Sequence, residues 1–274
     1  MPNNQMVLEA VLVSKNVSNR PLKIIFLSFA YSFVAITFSY HLFPAQSSML
    51  AVALITIIFI PFFQKLFEQD EVSEILSLKK LKDNVFVRHE STIKAFSLFF
   101  AGTTLAISAG YYFFPQYDAV FALQTSTLQS FATGRVTDFG TMLLLIANNT
   151  QVMLLMFVLS TIFGAGAVLI LAWNASVIGV YLGMIARAFT SSGVDSASAF
   201  FYGVQSGLFS IVLHGVPEIL AYFVAGIAGG ILSVGIARES VGSMKFRKIF
   251  TDSLKLLAMA QVLIIAAAWL EAAF

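Results

Sequence analysis

An all-α, polytopic transmembrane bundle of about seven spans is the fold this sequence predicts, and three observations predict it. Of the 274 residues, 58% are apolar and only 11% are charged, against roughly 25% charged in soluble domains. Apolar runs of about 20 residues, the length that crosses a hydrocarbon core, recur along the chain. Lys and Arg concentrate in three separated polar segments. A soluble fold of this composition would lack the polar side chains to cover its surface, and a bilayer removes that need. The net charge of +2 is too small to point to nucleic acid. The absence of Cys excludes disulfides and thiolate metal sites.

The first span is expected from Leu22 to Phe43, ended by Pro44. Residues 1–21 are polar, the run is too long for a signal-peptide core, and no A-x-A site follows, so it reads as an uncleaved anchor. A second, short span from Met49 to Phe63 completes a hairpin. Residues 64–92 are the most polar stretch, with acids early and lysines late, as the helix dipole favours. Ile75, Leu78, Leu81 and Val85 recur there at helical spacing, which predicts an amphipathic helix on the membrane face or a solvated linker helix. The third span runs from Ile93 to Phe114, with Tyr111, Tyr112, Phe113 and Phe114 as an interfacial aromatic anchor.

Residues 116–138 form a polar segment with Val120, Phe121, Leu128 and Phe131 on one face. The run Phe139 to Ala147 is too short to cross, so it is expected to be interfacial or re-entrant. The fourth span follows Asn148-Asn149-Thr150-Gln151 and reaches Ala172, with a tight turn at Trp173-Asn174. The fifth runs from Ala175 to Phe189. The sixth region, Phe200 to Ala237, is too long for one straight span and is expected to break at 214–218. The last span covers Leu254 to Trp269. Three parts follow: residues 1–63 with the hairpin, a linker at 64–92, and a membrane domain at 93–274. Basic residues sit in the N-terminal segment, in 64–92 and in 236–255. The positive-inside rule then places the N-terminus in the cytoplasm and the C-terminus outside.

His214-Gly215-Val216-Pro217-Glu218 stands out inside an apolar region. Gly215 would close one half-helix and Pro217 open the next. His214 and Glu218 would meet at that break, as a proton or ion relay, a substrate contact, or a buried pair that locks packing. Arg187 is the one basic residue placed to pair with Glu218 across helices. Asn148 and Asn149 are helix caps or line a polar cavity, and Asn174 is a turn residue. Gly164, Gly166, Gly179, Gly183, Gly203, Gly207, Gly226, Gly229 and Gly230 supply close helix packing, more within the chain than at a dimer seam. No H-E-x-x-H, G-x-S-x-G or P-loop is present. His41, His89 and His214 lie too far apart in the expected topology to share a metal, and neither metal nor cofactor is expected.

The order of these motifs resembles the stage II sporulation protein M family. It is carried by Ala147-Asn148-Asn149-Thr150-Gln151-Val152, then Gly164-Ala165-Gly166, Asn174, His214-Gly215-Val216-Pro217-Glu218, and Ala225-Gly226 through Gly229-Gly230. The resemblance covers roughly residues 140–235. One departure is Ala175, where the family usually has Gly. The resemblance implies a multi-pass protein of the cell membrane. Its sporulation member is a scaffold that recruits peptidoglycan-degrading proteins during engulfment, and relatives occur in non-sporulating bacteria and archaea. The expected function is a non-enzymatic scaffold that organises membrane partners, itself included as a homo-oligomer. The alternative is a small transporter or channel using the His214–Glu218 pair.

Overall fold

The computed structural model describes residues 21–76, 89–132 and 139–273. These form α1 (Pro21–Leu42), a 3-10 turn (Pro44–Gln46), α2 (Ser47–Leu76), α3 (Glu90–Phe113), a second 3-10 segment (Pro115–Phe121), α4 (Ala122–Ala132), α5 (Phe139–Phe163), α6 (Ala167–Ser191), α7 (Ser196–Arg238) and α8 (Met244–Ala273). No strand occurs among the described residues. All the helices except α4 are long and apolar enough to cross a membrane, seven among the described residues.

The first hairpin forms where the apolar runs place it, with Pro44 opening the 3-10 turn. Its second arm is longer than the sequence suggests. α2 continues past Phe63 through residues read as a separate linker, because Leu66 and Phe67 carry its buried face onward. Pro61 is accommodated inside it. Leu78, Leu81, Val85, Lys79, Lys80 and Lys82 of that linker lie outside the described residues, as does Arg135. In the segment after α3, Val120 and Phe121 are buried as expected, beside Tyr117.

Three expected boundaries are corrected. The run from Phe139 to Ala147 is the first part of α5, continuous through Asn148 and Asn149, so it is not interfacial or re-entrant. The turn between the fourth and fifth spans lies at Gly164–Gly166, not at Trp173-Asn174. Gly164 adopts φ 70° there, a conformation glycine takes without steric cost. Asn174 lies inside α6 and donates to the Ile170 carbonyl of its own helix at 2.8 Å. The sixth region is not broken: α7 runs unbroken for 43 residues with Pro217 inside it. Neighbouring helices in a bundle re-satisfy the groups a proline frees, which is why membrane helices tolerate it.

The most extensive packing joins α7 to α8, α3 to α6, α5 to α7, α1 to α3 and α6 to α7. Residues 221–232 of α7 are buried on all sides and form the axis of the bundle. Around them Phe96 stacks on Phe63 (centroids 4.5 Å apart) and on Phe223 (5.5 Å). Phe59 packs on Phe99 (4.8 Å). Small residues set the helix spacing. A Cβ at Gly102 would lie 2.6 Å from the Ile25 carbonyl of α1, and one at Gly179 would lie 2.8 Å from the Thr104 carbonyl of α3. One at Gly230 would lie 2.5 Å from the Phe67 ring of α2.

Asp195 caps the amino end of α7 by accepting from the Ser198 amide at 3.1 Å. The Ser198 hydroxyl and amide together hold its carboxyl below the usual carboxylate range. A depressed folded value means the cap is complete above the ordinary carboxylate range and is lost as pH falls through the lowered value. Amide exchange at Ser198 is expected to speed up only at strongly acid pH, and in Asp195→Ala to be fast at every pH.

Candidate functional site

Glu218 lies near the middle of α7, with Tyr222 one turn further along the same face. The Tyr222 hydroxyl donates to Glu218 Oε1 at 2.6 Å. The Asn149 amide approaches the same carboxylate from α5, and Glu271 of α8 is close enough to repel it. Asn149 is buried, and its Oδ1 accepts from Asn148 Nδ2 at 3.1 Å. Next to this group α5 and α8 are tied by an exchange between Thr150 and Gln261: each donates to the other, at 3.1 and 3.0 Å. The result is a row of polar side chains on three helices.

Chemically, Glu218 offers a carboxylate with one firm donor, and Asn149 a rigid amide. His214 is half-buried one turn before Glu218, but no hydrogen bond or ion pair joins the two. The expected His214–Glu218 pair is thus replaced by a Glu218–Tyr222 pair. Gly215 and Pro217 sit in continuous helix rather than at a break. Arg187 does not reach Glu218. It pairs with Asp118, through Nη2 at 2.6 Å and Nη1 at 3.1 Å, and lies 3.8 Å from the centre of the Tyr111 ring. Its Nη2 also donates to the Tyr111 carbonyl. That cluster pins the segment Pro115–Phe121 to α3 and α6.

Gly226 and Gly229 close the bundle beside the polar row. A Cβ at Gly226 would lie 2.8 Å from Ala167 Cβ, and one at Gly229 would strike the Phe157 carbonyl of α5 and come within 2.7 Å of Ser160 Cβ. Gly166 is equally tight against Leu159, and a Cβ at Gly183 would lie 2.8 Å from the Tyr111 ring. No group of three or more His, Asp and Glu able to hold a metal occurs among the described residues.

A family model described as stage II sporulation protein M matches residues 95–274. The chain belongs to the stage II sporulation protein M family. No curated protein and no solved structure matches it. The match reaches further than the motifs between 140 and 235: it takes in α3 and all of α8, and so includes Gln261 and Glu271. Apolar spanning helices and family membership together make this a multi-pass membrane protein. α1 and α2 lie outside the matched region, yet Phe67 of α2 fills the space at Gly230, so the family core is completed by them.

Sequence reasoning missed Tyr222, Gln261, Glu271 and the partner of Arg187. The four-residue step from Glu218 to Tyr222 was a usable signal, since i and i+4 share a helix face. It also missed a second buried pair. His89, assigned to a charged loop, is 1% exposed and lies 3.4 Å from the Asp70 carboxylate, joining the ends of α2 and α3. Nothing in the local sequence pattern marks that contact.

Proposed function

We propose that this stage II sporulation protein M family member is a non-enzymatic scaffold that holds partner proteins in the bilayer. It would be oriented with its N-terminus in the cytoplasm and its C-terminus outside, as the basic segments ask. The observation that supports scaffolding over transport is the closure of the bundle beside the polar row. Gly226, Gly229 and Gly230 bring three neighbouring helices into contact with the α7 backbone, leaving no room for a methyl group. Such packing suits a rigid platform whose outer surface does the work. The polar row itself favours a second reading, transport, in which Glu218 and Asn149 contact a passing solute.

Purified protein in proteoliposomes separates the two. The scaffold leaves proton and sodium flux equal to that of protein-free vesicles, in wild type and in Glu218→Gln alike. Flux above that background that disappears in Glu218→Gln would transfer the role to transport. Cross-linking in native membranes is expected to capture the same partner in stoichiometric amount across preparations. Capture of none would count against a scaffold.

A further inference from the structure

Where the far ends of α2 and α7 meet, they enclose a groove of about 340 Å³ lined by Lys65, Glu68, Gln69, Val72 and Arg238. The four α2 residues recur at the spacing of one helix face. Arg238, the last residue of α7, is fixed at the wall by Glu68, with Nη2 at 2.9 Å from Oε2. Lys65 is half-buried, and among the described residues it makes no ion pair. The one acid on its own face, Glu68, is already engaged by Arg238. Two cations therefore face one carboxylate, and the groove keeps a positive excess.

The depth of the groove is set by α2. Lys65 lies about 27 Å along that helix from its start at Ser47, close to the thickness of the hydrocarbon core. The two apolar crossings end beside it, at Asp70 and Arg238. The groove thus opens in the headgroup layer. Towards the midplane its wall turns apolar: Ile57, two turns before Gln64 on the same stripe of α2, is 62% exposed. The turn between α5 and α6 abuts this end, where a Cβ at Gly164 would lie 3.6 Å from Gln64 Cγ and 3.9 Å from Ser233 Oγ of α7. Ile162 and Phe163, just before that turn, are exposed. A cationic hollow over an apolar wall has the profile of a phospholipid with a charged head.

We propose that this groove binds one anionic phospholipid, with its phosphodiester between Lys65 and Arg238 and an acyl chain along Ile57. Basic hollows between spanning helices are where such headgroups bind. The guanidinium offers a fork of donors and the ammonium a point charge, both suited to phosphate oxygens. A zwitterionic headgroup would bring its own ammonium up to the same two cations, so the groove discriminates against phosphatidylcholine. The site is separate from the polar row around Glu218 and does not depend on the scaffold reading.

The test titrates the full chain in detergent with phosphatidylglycerol or phosphatidylcholine of matched acyl chains and counts bound lipid by native mass spectrometry. One phosphatidylglycerol is expected to bind about tenfold more tightly than phosphatidylcholine, the order that two cationic side chains at a membrane surface supply. In Lys65→Gln the two lipids should bind alike, while Lys65→Arg keeps the preference. Arg247→Gln removes an equal charge from an exposed position on α8 outside the groove and should change nothing. Equal binding of both lipids to wild type overturns the proposal, and that arm needs no variant to fold. Equal weakening in Lys65→Gln and Arg247→Gln overturns it in favour of diffuse surface charge. Displacement of the lipid by inorganic phosphate or by an oligoglutamate peptide at the same concentration overturns it as well, and assigns the groove to a soluble anion or an acidic partner.

Discussion

Gly229→Ala should destabilise the protein by about 3 kcal/mol or more, while Gly215→Ala should leave it as stable as wild type or up to about 1 kcal/mol more so. Both changes add one methyl group to the same helix. At Gly229 that methyl would strike the Phe157 carbonyl and lie 2.7 Å from Ser160 Cβ. A backbone carbonyl in a neighbouring helix cannot swing aside, so α5 and α7 must separate along their length. At Gly215 the nearest atom is Ile211 Cβ of the same helix at 3.7 Å, an ordinary contact. There the only effect is the better helix propensity of alanine. Thermal unfolding in detergent, followed by circular dichroism, measures both. Equal midpoints for the two variants would mean that the contact at Phe157 has slack.

Asp70→Ala should cost about 2 kcal/mol, within what removing one partner of a buried polar contact costs. His89 is 1% exposed and the Asp70 side chain 6% exposed, 3.4 Å apart. The single change leaves a buried imidazole facing a methyl group. Replacing both residues, Asp70→Leu with His89→Leu, should restore most of the loss, because well-packed apolar residues substitute for buried pairs at little net cost. A double-mutant cycle on unfolding midpoints reads the coupling. Strictly additive losses would show that the two side chains act independently and would remove this pair as the clasp between α2 and α3.

The number of spans was legible because apolar length and the absence of charge are written directly into each segment. The boundaries were not, and particular residues show why. Asn148 and Asn149 looked like the end of an apolar run, but they bond to each other and to Glu218's surroundings, so the helix passes through them at no cost in unpaired groups. Trp173-Asn174 looked like an interfacial turn, but the Asn174 amide is satisfied by its own helix. The true turn lay ten residues earlier, where Gly164 and Gly166 were read as packing residues only. Pro217 looked like a stop because isolated helices end at proline, whereas this one packs against α5, α6 and α8. Glu218 was found from sequence because an acid in an apolar span is rare. Its neighbours Asn149 and Glu271 come from α5 and α8, and cross-helix register is not encoded in any one stretch of chain.

The unbroken length of α7 gives the molecule a lever. The helix is gripped at a waist where Gly226, Gly229 and Gly230 meet α6, α5 and α2, and its amino arm reaches some thirty residues beyond that waist. That arm is packed closely on α6, where a Cβ at Gly203 would strike the Ala186 backbone, so a tilt would carry the two together. A tilt of about ten degrees at the waist would carry the tip of that arm roughly 8 Å, given a rise of about 1.5 Å per residue. At the opposite end Arg238 meets Glu68 at 2.9 Å. A pull applied on one side of the membrane would thus pass to the other along one continuous helix.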